Sequence, residues 1–138
     1  MSVYSYIDKH IFLPVADALT SRGVSKEWKL MQKAELYSEE QLIQLQNQRL
    51  QALIKHCYDH VPYYRNLFDT LGLRPDDIQT RQDLQKLPVL TKQMVREHYD
   101  ELVADNIAEL KAQNGSTGGS TGTPLKFHKD VQTWNMAW

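Results

Sequence analysis

The sequence is short of several things, and each shortage removes a class of protein. It holds one cysteine, Cys57, in 138 residues. No internal disulfide can form, so a reducing cytosol is the expected compartment. Charge of one sign is also missing: 16 Lys and Arg stand against 17 Asp and Glu, a net charge of −1. With a pI near 6.5 there is no basic footprint for nucleic acid and no attraction to an anionic membrane, so neither partner is expected. No apolar run approaches the ~20 residues that span a bilayer. The opening MSVYSYIDKHIFLPVADALTSRG is broken by Asp8, Lys9 and His10, which denies it the uniform apolar stretch of a signal peptide. Internal repeats are absent too.

What remains is the composition of an ordinary soluble globular domain, at a length that can build one core. Three zones separate: residues 1–37, 38–102 and 103–138. The first is an irregular helical segment punctuated by Pro14 and Gly23. Ile7, Ile11, Val15 and Leu19 fall at four-residue steps, which predicts a packed face, and Gly23 is a natural stop.

The second zone is a helical region. Ser38 and Gln41 stand at capping-box spacing before an apolar pattern. Leu42, Leu45 and Leu53, with Ile43, Leu50, Ile54, Cys57 and Val61, predict a long amphipathic helix stopped by Pro62. A shorter helix from Tyr63 to about Leu71 follows, with Gly72 as its C-terminal cap. The stretch RPDD, residues 74–77, reads as a turn. Thr80 with Asp83 caps a short helix that ends by Pro88, and Thr91 caps another from Lys92 to about Tyr99.

The third zone changes character. ELKAQN, residues 109–114, fits a strand or a helix end. PLKFHKD, residues 124–130, alternates Leu125 and Phe127 against Lys126 and His128, as a half-buried strand does. Asp130 is placed to cap a final helix bearing Val131, Trp134 and Trp138. The fold class expected for the residues present is therefore mostly α, ending in a strand–loop–strand element. Two tryptophans on so short a last helix need a partner, so the chain is expected to be the front of a longer protein. The alternative is a non-catalytic helical interaction module that docks through Trp134 and Trp138.

Between the two strand candidates, Ser116 to Gly122 contains only serine, threonine and glycine. A flexible linker has this composition, yet the stretch runs straight into a strand and a capped helix. Gly118-Gly119-Ser120-Thr121-Gly122 also spells G-x-S-x-G, the nucleophile elbow of α/β-hydrolases. That elbow needs a helix where Pro124 and a strand stand. The only later acid and histidine, Asp130 and His128, lie too close to Ser120 to form a triad. A third reading is a phosphate loop, in which glycines let backbone N–H groups converge and hydroxyls add neutral donors. Neither the Walker A nor the G-x-G-x-x-G spacing occurs.

Thr117-Gly118-Gly119-Ser120-Thr121-Gly122-Thr123-Pro124 resembles the nucleotide loop of the adenylate-forming enzymes, the acyl- and aryl-CoA ligase superfamily. RLQALIKHCYDHVPYYRNLF, GLRPDDI and DLQKLPVLTKQMVREHYDEL look like the N-terminal region of phenylacetate–CoA ligase and its capsule-biosynthesis, CapK-type, relatives. The resemblance runs from about Leu42 to Leu125 with the order kept. It implies an α/β parent fold, with residues 103–138 as the incomplete start of its nucleotide-binding domain. It also implies ATP with Mg2+ and coenzyme A as cofactors of the complete enzyme, with a nucleotide and a carboxylic acid as partners. The phosphate contacts it implies are Thr117, Gly118, Gly119, Ser120, Thr121, Gly122 and Thr123. Many members carry a lysine within or just after the loop's proline; here Thr123 and Leu125 take those places, and Lys126 is the nearest lysine.

Other residues have plainer readings. His56 and His60 stand four apart with Cys57 between, a spacing that suits a metal, but no third ligand is apparent. Cys57 belongs to the apolar pattern and reads as core. Tyr63, Tyr64 and Arg65 read as packing at a helix start, and Glu39/Glu40 and Asp76/Asp77 as caps and solvated charges rather than acid–base pairs.

Overall fold

A computed structural model describes residue 15, residues 24–118 and residues 124–130. Ile7, Ile11 and Leu19 lie outside the described residues, as do Val131, Trp134 and Trp138, so the faces expected there are not seen. Val15 is exposed. The described elements run as helices, then two short 3-10 segments, a last helix turn and a hairpin. They are α1 (Val24–Ala34), α2 (Glu39–His60), α3 (Pro62–Leu71), the 3-10 segments Pro75–Asp77 and Arg81–Lys86, α4 (Lys92–Glu97), β1 (Gln113–Ser116) and β2 (Lys126–Lys129). The expectation of a mostly helical region ending in two strands is met.

The ends of α2 are set by local chemistry. Ser38 Oγ accepts from the Gln41 amide at 3.3 Å, and Gln41 Oε1 accepts from the Ser38 amide at 2.9 Å. Two amides that the helix leaves unpaired are thereby satisfied, and Glu39 and Glu40 sit at the positive end of the helix dipole. At the other end Pro62 keeps Val61 extended, at φ −113° and ψ 107°. The same proline takes the first position of α3, where its missing N–H costs nothing. Gly72 ends α3 in the left-handed region, φ 67°, where a side chain would be strained. Its amide donates to Asp69 O, and the Leu73 amide donates to Phe68 O at 2.9 Å.

The chain doubles back at Pro62 and again after Gly72, which brings α2, α3 and the 3-10 segments around one small core. Ile54, Phe68 and Ile78 form it, with Leu50, Tyr58, Leu73 and Leu87 packed against them. Phe68 and Ile78 are wholly covered. The expected apolar stripe of α2 is only partly used: Leu42, Ile43 and Leu53 remain 44%, 48% and 57% exposed. The core contacts of α2 come from Leu50, Ile54 and Tyr58 in its C-terminal half; Leu42 and Ile43 lie in the half before them, and Leu53 is exposed although it lies among them.

Two segments differ in type from the expectation. RPDD holds a turn of 3-10 helix, and the Arg74 amide donates to Asp77 Oδ2 at 2.7 Å. The helix capped by Thr80 is also 3-10, over Arg81–Lys86. So short a segment, closed by Pro88, is the usual setting for the tighter helix. Asp83 does provide the predicted cap, accepting from the Thr80 amide at 2.9 Å and the Thr80 hydroxyl at 2.8 Å. Thr91 caps α4 by accepting from the Met94 amide at 3.2 Å, and α4 ends at Glu97, short of Tyr99. Within ELKAQN the strand begins at Gln113. β1 and β2 pair antiparallel, with Gln113 opposite Lys129, Asn114 opposite His128, Gly115 opposite Phe127 and Ser116 opposite Lys126.

Candidate functional site

The Ser/Thr/Gly stretch joins the two strands of this hairpin. At its neck the Thr117 amide donates to Leu125 O at 3.0 Å, and the Leu125 amide donates to Thr117 Oγ1 at 3.0 Å. One threonine thus clasps both ends of the loop. Its hydroxyl spends an acceptor position on the clasp and keeps its proton for another partner. Among the described residues nothing lies within 4 Å of where a Cβ on Gly118 would sit. Of the seven residues expected to touch phosphate, Thr117 and Gly118 are placed in this way. Gly119, Ser120, Thr121, Gly122 and Thr123 lie outside the described residues.

Below the neck, side chains alternate between the two faces of the ladder. The register puts Asn114, Ser116, Lys126 and His128 on one face, and Gln113, Gly115, Phe127 and Lys129 on the other. Gly115 is there because Phe127 lies across it: an added Cβ would come within 2.5 Å of Phe127 Cε2. Lys129 Nζ stands 5.1 Å from the centre of the same ring, a cation–π distance.

One side-chain bond ties the hairpin to the preceding region, and further bonds tie the segment between α4 and β1 to α2 and α3. Tyr99 Oη and His128 Nε2 are 3.0 Å apart, so His128 is half-buried rather than simply solvent-facing. No local pattern announces a pair so far apart in sequence. The Tyr63 amide donates to Glu101 O at 3.0 Å, and the Asp105 amide donates to His60 O at 2.8 Å. His60 Nδ1 lies 2.8 Å from Asp105 Oδ1, and Arg65 Nη2 lies 4.0 Å from Asp105 Oδ2. Arg65 Nε donates to Tyr58 O at 3.0 Å, completing the end of α2.

Two concavities border the hairpin. An apolar groove of about 380 Å³ is lined by Val95, Leu102, Val103, Ile107, Leu110 and Phe127, among others. A second hollow, about 500 Å³, is lined by Tyr99, Asn114, Gly115, Ser116, Lys126 and His128.

The remaining candidates take structural places. His60 is engaged by Asp105, its ring 5.0 Å from that of His56. No group of three His, Cys, Asp or Glu that could hold a metal exists among the described residues. Burial pushes the Cys57 thiol above its ordinary pKa, which disfavours the reactive thiolate. Tyr63 is buried against Tyr64 and His98, and burial also raises the Tyr64 phenol. Among the described residues no helix is long and apolar enough to cross a membrane.

A hairpin whose strands are joined by a Ser/Thr/Gly stretch, preceded by a helical region, is the arrangement the described residues define. Comparison with known proteins points to particular relatives. No family model matches the chain. It is similar to the phenylacetate–coenzyme A ligase of Escherichia coli (strain K12), at 36% identity over 104 residues. Similar enzymes of the same name occur in Aromatoleum evansii, at 33% over 108 residues, and Pseudomonas putida, at 34% over 109 residues. These matches cover 75%, 72% and 76% of this chain for Aromatoleum, Escherichia and Pseudomonas, but only 24%, 24% and 25% of the relatives. The chain spans about a quarter of the length of the curated relatives it matches.

Proposed function

We propose that these residues are the N-terminal portion of an adenylate-forming carboxylate–CoA ligase and carry its ATP phosphate loop. The observation that carries the reading is the neck, where Thr117 and Leu125 bond reciprocally and hold the Ser/Thr/Gly stretch closed at its base. Similarity to phenylacetate–coenzyme A ligases over about three quarters of the chain supplies the reaction class. Residues 1–37 and 38–102 form helical units, and residues 103–138 open the nucleotide-binding α/β domain of a cytosolic enzyme.

The reaction has two steps. A carboxylate oxygen attacks the α-phosphorus of ATP, forming the acyl–O–P bond as the bond to pyrophosphate breaks. The thiol sulfur of coenzyme A then attacks the acyl carbon, releasing AMP and a proton. In the first step negative charge gathers on the departing pyrophosphate, and donors fixed in advance around it lower the barrier. Gly119 and Gly122 give the backbone its turn, and Ser120, Thr121 and Thr123 donate to the β- and γ-phosphates. Thr117 contributes chiefly by holding the neck. Mg2+, when bound, would neutralise phosphate charge; among the described residues no group of three His, Cys, Asp or Glu could hold it. The names of the relatives favour an arylacetic acid as the substrate over a capsule-related acyl group.

The test is acid-dependent ATP–pyrophosphate exchange in a ligase of the relatives' full length carrying these residues. Phenylacetate should support exchange. Replacing Ser120 and Thr121 by alanine should lower kcat/KM for ATP at least tenfold, since a hydrogen bond to a charged group contributes about 1.5–3 kcal/mol. The 138-residue chain alone should give no exchange, because it spans only about a quarter of the length of the ligases it matches. Unchanged ATP kinetics in the double variant would make the loop structural.

A further inference from the structure

The phosphate loop is not the only part of the hairpin able to hold an anion. We propose that the polar face of the hairpin, formed by Asn114, Ser116, Lys126 and His128 and backed by Tyr99, is a second anion subsite that takes a terminal phosphoryl group of the polyphosphate.

The register brings these residues together. Asn114 lies opposite His128 and Ser116 opposite Lys126, and residues two apart on one strand share a face. Four side chains that can all donate hydrogen bonds therefore meet on a patch two ladder rungs deep, with no carboxylate among them. Together with Tyr99 they line the hollow of about 500 Å³. The Ser116–Lys126 rung is the one next to the Thr117–Leu125 neck, so the patch continues directly into the base of the loop. An anion extending below the loop meets a lysine ammonium first and the imidazole one rung further on. The other lysine of β2, Lys129, falls on the opposite face, against the Phe127 ring.

His128 is oriented rather than loose. Its Nε2 is tied to Tyr99 Oη at 3.0 Å, and the two rings lie 5.8 Å apart. If the tyrosine O–H donates, the neutral ring carries its proton on Nδ1, which then serves as the donor to a ligand. Tyr99 is thus a positioning residue, fixing through His128 which ring nitrogen acts. Lys126 contributes as a point charge on a flexible stem, the manner in which lysines bind phosphate.

The inference rests on reading the loop as a phosphate site, and the experiment separates the two. The 138-residue chain is titrated with inorganic pyrophosphate, and with acetate in parallel, while the His128 ring protons, the Lys126 side-chain protons and the backbone amides are followed by NMR. Saturable pyrophosphate binding is expected to move the His128 and Lys126 signals, with acetate at least tenfold weaker. Lys126→Gln and His128→Gln should each weaken pyrophosphate binding at least fivefold. Lys129→Gln, the same change of charge on the other face, should alter it less than twofold. Tyr99→Phe should weaken binding and change the tautomer-sensitive nitrogen shifts of His128. Lys126→Gln leaves the Tyr99–His128 bond in place, so it keeps the test valid if His128→Gln disturbs the hairpin. If the double variant Ser120→Ala with Thr121→Ala leaves binding intact while Lys126→Gln abolishes it, the subsite stands and the loop reading falls. The reverse result overturns the subsite and leaves the loop. Equal losses in Lys126→Gln and Lys129→Gln, equal responses to acetate, or no saturable pyrophosphate binding would each overturn the proposal.

Discussion

The helical region and the hairpin are stabilised by opposite means. Ile54, Val61, Tyr63, Phe68 and Ile78, the buried apolar residues described, all belong to the first. Its turns are closed by side-chain caps at Ser38, Thr80 and Thr91. The hairpin has one four-rung ladder, one aromatic laid across a glycine, one clasp and one tyrosine–histidine bond. A two-stranded hairpin is marginal by itself. What it gains is access: the residues that line the second hollow are half-buried or exposed, which a packed core forbids. The difference shows where this chain spends burial and where it keeps polar groups available.

Removing the centre of the helical core tests that division most severely. Phe68→Ala deletes a wholly covered ring packed edge-on to Tyr58, and such truncations cost about 3–5 kcal/mol. In urea unfolding the helical signal should lose most of its stability, and the hairpin should fail with it, because Tyr99 ties the hairpin to this region through His128. Persistence of the Tyr99–His128 contact after the helices melt would show the hairpin to be independent.

The converse change is Gly115→Ala. The new methyl must displace the Phe127 ring, and overpacking of this kind costs about 1–3 kcal/mol. The loss should fall on the hairpin: β-ladder amides exchange faster, while the urea midpoint of the helical signal hardly moves. A large shift of that midpoint would erase the distinction between the regions. Thr117→Val is milder still. It removes the acceptor of the Leu125 amide at constant shape, a net loss of about 0.5–1.5 kcal/mol, and should speed exchange of that amide alone. Thr117→Ser should restore it, since the hydroxyl is what the clasp uses.

The two regions were also unequally legible. Caps and breakers act within a few residues, so Ser38 with Gln41, Pro62, Gly72, Thr80 with Asp83 and Thr91 could be read directly and are found in place. The strand at PLKFHKD followed from alternation in the same way. What escaped was decided at a distance. Whether Leu42 and Leu53 would find partners depends on where α3 and the 3-10 segments turn back. The bonds of His128 to Tyr99 and of His60 to Asp105 link residues that no period relates. The choice of 3-10 over α at Arg81–Lys86 depends on a few tenths of an ångström of rise per residue, which residue type does not encode. The loop was recognised by resemblance, and the clasp at its neck became visible only when Thr117 and Leu125 were seen face to face.

The smallest expected effect concerns acid. Asp83 is held well below the ordinary carboxylate range, first by the Lys86 ammonium at 2.7 Å, then by the Thr80 hydroxyl and amide and the Gln79 amide. A carboxyl with a lowered folded-state pKa binds protons less readily when folded than when unfolded. Its contribution is therefore complete above the unfolded value and is lost as pH falls below about 5 toward the folded one. Asp59, lowered by Lys55, and Glu40, lowered by Ser38, act in the same direction. Asp83→Asn should thus slightly lower stability at neutral pH and reduce, without abolishing, its decline in acid. Urea midpoints of the helical signal between pH 7 and about pH 3 would show the two curves drawing closer as the carboxyl is protonated in the unfolded chain while the folded one stays ionised. Parallel curves would mean that the cap at Thr80 works through shape alone. The effect should be confined to the helical region, since the polar face of the hairpin contains no carboxylate to titrate.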